Sequence, residues 1–135
     1  SPEFTRSWEG RMINIHPSLL PLYRGLDTHR RALADGVRIH GCSVHFVSAQ
    51  VDAGAIIAQA AVPVLPDDGE EELAARVLAA EHKLYPLALK LVASGRARLN
   101  GGRVDFSSVA ASGTLLSPAT SDVVSDIESL ARMTP

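Results

Sequence analysis

The chain has 135 residues, 46% of them hydrophobic, and a formal charge of −2, enough apolar material for a single domain with a real core. Lysine and arginine are dispersed, which argues against a nucleic-acid or anionic-membrane surface, and no apolar run approaches a membrane span or a signal-peptide core, so a cytoplasmic location is expected. The single cysteine, Cys42, cannot form an intramolecular disulfide, has no zinc-site neighbours in sequence, and is expected to be a small buried residue.

Residues 4–10 mix Trp8 with charges and predict a short helix closed by Gly10. Residues 11–15 predict an apolar strand, which places His16 at its C-terminal end, where Pro17 and Pro21 stop the strand and stiffen the exit. Ligand sites of open parallel sheets lie beyond such ends, so chemistry is expected there. In an extended strand, residues two apart share a face, so Asn14 and His16 converge on one small polar group while Ile15 points away. Residues 28–35 suit a helix capped by Asp27 or Thr28 and ended by Gly36, with its arginines toward solvent.

Residues 41–47 and 55–64 read as strands joined by the loop 48–54. A helix is expected over 69–93, with Asp67, Asp68, Glu70, Glu71 and Glu72 at its positive end and Leu73, Val77, Leu84, Leu87 and Leu91 as its buried stripe. Pro86 should kink or divide it near Tyr85, and Gly95 should end it. Residues 96–106, with Gly101-Gly102 at the centre, predict a hairpin. The tail, 107–135, is rich in Ser, Ala and Thr with one short helix expected over 121–133, and carries no assigned function. Taken singly, an Asn or His at a strand end usually caps a turn, and an Asp near a glycine usually makes one. His29, His40 and His82 lack the spacing of a metal site, so none is expected.

The run Met12-Ile13-Asn14-Ile15-His16-Pro17-Ser18, continuing through Leu19 to Gly25, resembles the signature of enzymes that transfer or remove the formyl group of 10-formyltetrahydrofolate. The sequel narrows it: Thr28-His29-Arg30-Arg31-Ala32-Leu33, Ser43-Val44-His45-Phe46-Val47, Val51-Asp52-Ala53-Gly54, Gln59, and Glu81-His82-Lys83-Leu84-Tyr85-Pro86 look like the phosphoribosylglycinamide formyltransferases. The likeness covers about residues 1–105 and includes Ser1-Pro2-Glu3-Phe4, which implies that the chain begins inside a longer enzyme. The implied fold is α/β: 1–106 as the folate-binding and catalytic C-terminal part of a mixed sheet flanked by helices, and 107–135 as a tail. The missing N-terminal half, which would carry a glycine-rich phosphate loop, becomes the implied partner, and a homodimer is a further arrangement open to it.

The resemblance implies that Asn14, His16 and Asp52 form the catalytic set. Attack of an amine on the formyl carbon builds negative charge on the formyl oxygen, which Asn14 and a protonated His16 would meet, while Asp52 would relay protons and favour the charged imidazole. Met12 and the loop Val47, Ser48, Ala49, Gln50 and Val51 would line the pterin pocket; Ile15, Pro17 and Glu81 would contact glycinamide ribonucleotide; His45 would orient Asp52 from behind. At Asp27 the family often has a histidine instead. The cosubstrate would be 10-formyltetrahydrofolate, without a metal. Rival readings are a hydrolase of the same superfamily that releases formate, an initiator-tRNA formylase, which would need a basic surface and an appended RNA-contacting domain, and an inactive fragment that only completes a sheet.

Overall fold

The computed structural model describes residues 1, 3–4, 8, 10–49, 53–111, 113–120 and 131–132. Three strands, β1 (Ile13–His16), β2 (Ile39–Phe46) and β3 (Ile56–Pro63), form one sheet in the order β1-β2-β3. Helix α1 (Thr28–Asp35) lies between β1 and β2 in sequence, α2 (Glu70–Ala93) follows β3, and β4 (Ala97–Asn100) with β5 (Arg103–Phe106) makes a separate hairpin.

Both pairings of the three-stranded sheet are antiparallel, so the expectation drawn from parallel sheets does not describe how His16 is placed among the described residues. His16 does end β1, because Pro17 offers no N–H to continue the ladder. Alternation along β2 sends Cys42, Val44 and Phe46 into the core with Leu73, Val77, Leu84 and Ala88 of α2, and turns Ser43 and His45 to the opposite face. Cys42 is fully buried, as expected. A register shift between Val44 and His45 breaks the β2–β3 ladder at the end nearest the loop 47–55.

Helix α1 spans 28–35 as its sequence predicts, ending at Gly36 with a left-handed φ of 70°. Its start differs in detail: Asp27 occupies the cap position without a side-chain capping bond, because its carboxylate pairs with Arg30 at 2.7 Å. The Thr28 hydroxyl instead donates to the Pro17 carbonyl at 2.6 Å. Helix α2 starts on a Glu72 carboxylate that accepts the Gly69 N–H at 2.9 Å. Farther on, Asp68 receives a two-pronged bond from Arg76, whose guanidinium also reaches the Pro63 carbonyl, tying α2 to the end of β3.

Neither a division at Pro86 nor burial of Leu87 is found in α2. The helix runs undivided through Pro86, which sits on its exposed side, where a proline and the carbonyl it orphans need no buried partner. Leu87 is 51% exposed, and Ala88 takes the buried place after Leu84. The spacing 73, 77, 84, 88 keeps a single face inward, and Leu87 lies a step of about 100° off it. The hairpin forms as expected, with Gly101 at a positive φ of 63° in its turn. Both short helices expected at the chain ends, over 4–10 and 121–133, fall largely outside the described residues.

Candidate active site at the end of β1

His16 is 5% exposed, and its Nε2 lies 2.7 Å from the Tyr23 carbonyl oxygen. A carbonyl only accepts, so Nε2 carries the proton. The other nitrogen, Nδ1, then bears a proton only in the imidazolium, which is the form that presents it as a donor. Asn14 is exposed, and its Oδ1 accepts the backbone N–H of Ile15 at 2.9 Å. This fixes which end of the amide is engaged and leaves its NH2 as the donor end. Across the ladder Asn14 faces His45, and His16 faces Ser43.

Asp52 lies outside the described residues, as do Gln50 and Val51. The ends of their loop are described. Val47 donates its N–H to the Met12 carbonyl at 2.8 Å, which sets the loop's start two residues before Asn14. At the other end the Phe46 N–H bonds the Ala55 carbonyl at 2.9 Å. Gly54 makes that closure feasible: a Cβ there would stand 1.6 Å from the Phe46 carbonyl oxygen. His45 is buried behind the loop, its Nδ1 donating to the Phe46 carbonyl at 3.0 Å. Met12, Val47 and Ser48 are half-buried and Ala49 is exposed.

Two pockets flank β1. One, of about 440 Å³, is lined by Ile15, Leu78, Glu81, His82, Tyr85 and Pro86, so Ile15 and Glu81 share a wall. The other, of about 530 Å³, takes in His16, Pro17, Asp27, Thr28, His29 and Glu70. Burial pushes the Glu81 carboxyl above the usual carboxylate range, and the nearby His82 and His16 partly offset this. Cys42 is pushed up to about 11 by burial, with the Glu81 charge adding to it, so its thiol is inert at neutral pH. His40 stays neutral: burial, then His29 and His16, bring it down to about 4. Its Nε2 lies 3.1 Å from His29 Nδ1. Among the described residues, no group of three or more His, Cys, Asp or Glu side chains is placed to hold a metal ion.

Sequence reasoning missed the polar residues that hold this site together. Ser43 is fully buried, and Gln59 bonds both Ser43 and the Leu20 carbonyl. Their only signal is positional: Ser43 alternates off the apolar face of β2, and a buried hydroxyl there must find partners.

A family model described as formyl transferase matches residues 1–89. The chain belongs to the formyl transferase family. The matched span contains β1, α1, β2, β3 and most of α2, and with them the positions of Asn14, His16, Asp52 and Glu81 in the sequence. The chain is 50% identical over 99 residues to the phosphoribosylglycinamide formyltransferase of Haemophilus influenzae, covering 73% of this chain and 47% of that protein. It is 54% identical over 105 residues to the trifunctional purine biosynthetic protein adenosine-3 of Bos taurus, covering 77% of this chain and 10% of that one. Among solved structures, the phosphoribosylglycinamide formyltransferase of Anaplasma phagocytophilum is similar at a TM-score of 0.74 and 48% identity, over 78% of this chain and 52% of that one. The chain therefore spans about half the length of the single-function relative and a tenth of the trifunctional one.

Proposed function

We propose that this chain is the C-terminal, folate-binding and catalytic part, residues 1–106, of an enzyme that moves the formyl group of 10-formyltetrahydrofolate to the amine of glycinamide ribonucleotide in purine biosynthesis. The observation that carries the reading is the His16 imidazole at the end of β1, held by its Nε2–H on the Tyr23 carbonyl between two pockets, in a formyl transferase half identical to a phosphoribosylglycinamide formyltransferase.

In this reading the amine nitrogen attacks the formyl carbon, a carbon–nitrogen bond forms, and negative charge moves to the formyl oxygen. The Asn14 amide and the Nδ1–H of the His16 imidazolium donate to that oxygen. Asp52 takes the proton the amine loses and returns one to the folate nitrogen as the old carbon–nitrogen bond breaks. The products are the formylated ribonucleotide and tetrahydrofolate, and the reaction as written calls for no metal. Met12 and the loop Val47, Ser48, Ala49, Gln50 and Val51 hold the pterin, with His45 supporting the loop. Ile15, Pro17 and Glu81 hold the ribonucleotide, a role supported by the shared wall of Ile15 and Glu81. Binding is completed by an N-terminal half, in a cytoplasmic enzyme for which a homodimer is one arrangement, and residues 107–135 are a tail outside the chemistry.

The test follows tetrahydrofolate formation by the full-length enzyme with and without glycinamide ribonucleotide. Turnover that requires the ribonucleotide is the expected result. Equal turnover without it, with release of formate, would replace the transferase by a hydrolase.

A further inference from the structure

Three side chains lie in one row across the sheet: His16 on β1 is paired with Ser43 on β2, and Ser43 with Gln59 on β3. Partners across antiparallel strands stand on the same face. Beyond this row the chain after β1 doubles back, and Ser43 and Gln59 grip it. The Ser43 hydroxyl donates to the Ser18 carbonyl at 2.7 Å and accepts the Leu20 N–H at 3.0 Å and the Gln59 amide at 2.9 Å. A hydroxyl has one donor and two acceptor positions, and all three are used. The Gln59 nitrogen also donates to the Leu20 carbonyl at 3.0 Å. Turning that amide over would set its oxygen against a carbonyl and a hydroxyl already committed to Ser18, so its orientation is fixed.

The grip passes along the segment to the candidate catalytic histidine. The Ser18 hydroxyl bonds the Leu22 carbonyl, and the next carbonyl, that of Tyr23, receives the His16 Nε2–H. Tyr23 has a positive φ of 51°, a conformation a tyrosine adopts only when its surroundings hold it there. The Arg31 guanidinium over its ring and the bond from its hydroxyl to Asp35 at 2.7 Å supply part of that hold.

We propose that Gln59 and Ser43 are positioning residues for formyl transfer, acting from across the sheet by fixing residues 18–23 so that the Tyr23 carbonyl sets the tautomer and orientation of His16. Gln59 touches no reacting atom. Its effect runs through Leu20, Ser43 and Tyr23 to the imidazole, and this inference rests on the transferase reading above.

The test replaces Gln59 by methionine, similar in length but without donors, in the full-length enzyme; Ser43→Ala is a second, more drastic variant. Wild-type protein is expected to show His16 as the Nε2–H tautomer in nitrogen–proton correlation spectra of its imidazoles. Gln59→Met should show mixed tautomers, an altered pH profile of kcat, and a kcat lower by about tenfold with KM changed less than about twofold, as for a misaligned catalytic group. Gln59→Met with wild-type kcat and an unchanged His16 spectrum overturns the proposal. So does a lower kcat with tautomer and pH profile unchanged, since that is what a merely structural residue would give. Failure of the wild type to transfer formyl groups overturns the functional reading instead, and the tautomer comparison on the same samples still decides whether the row orients His16.

Discussion

At the scale of residues, the Nε2–H bond to Tyr23 divides the labour within one side chain: one ring nitrogen anchors, which in the proposed reaction leaves the other to serve the oxyanion. Replacing His16 or Asn14 by alanine is expected to lower kcat by roughly a hundred- to a thousandfold, as for loss of an oxyanion donor, and Asp52→Asn by a comparable factor, as for loss of a proton relay, with each protein still folded. Steady-state kinetics with thermal melts on the same preparations check this, and wild-type rates in all three would remove the catalytic assignment. His40 gives a different test. Its folded-state value, near 4, lies below that of an unfolded histidine, about 6.5. Its contribution to stability is therefore full above about pH 6.5 and is lost as pH falls toward 4, on the order of 2 kcal/mol. Urea denaturation at pH 7 and pH 4.5 should show the loss, and His40→Gln should flatten it.

At the scale of elements, local signals placed what local chemistry dictates. Gly36 ended α1, the acidic cluster 67–72 marked the start of α2, and Gly101-Gly102 marked the hairpin turn. The exceptions arise where a side-chain contact, near or far in sequence, overrides the local signal. Asp27 abandons its cap for Arg30, Ala88 rather than Leu87 meets the sheet, and Pro86 is carried by the packing of Leu84 and Ala88 on either side of it. The candidate pair Asn14 and His16 was legible because it sits within three residues of one strand. Ser43 and Gln59 were not legible as its support, because strand register, invisible in the linear sequence, sets them beside His16. Gly54 sits between these cases. Gly54→Ala must push the Phe46 carbonyl aside and break the Phe46–Ala55 closure of the loop that bears Asp52. Activity should fall about tenfold or more while the melting temperature drops only a few degrees, since a loop end and not the core is displaced. The Asp68–Arg76 clasp should behave oppositely. Arg76→Met is expected to cost about 2 kcal/mol in urea denaturation with kcat changed little, because it breaks a charge-assisted bond whose two partners line neither of the pockets that flank β1.

At the scale of the whole molecule, one strand edge frames the question of completeness. β1 is four residues long and pairs only with β2 among the described strands, so its other edge has no strand partner among the described residues. The proposed N-terminal half can be tested directly. The chain alone is expected to give no detectable formyl transfer, and mixing it with the N-terminal half of a family member should restore acceptor-dependent turnover. Full activity in the chain alone would show that the site needs no such addition.

Helix α2 is undivided over 24 residues, and it contributes Glu70 to one pocket beside β1 and Glu81 to the other. Eleven residues of unbroken helix separate those two positions by about 16 Å along its axis. One element thus walls both chambers, so a displacement of that helix would be felt in each of them.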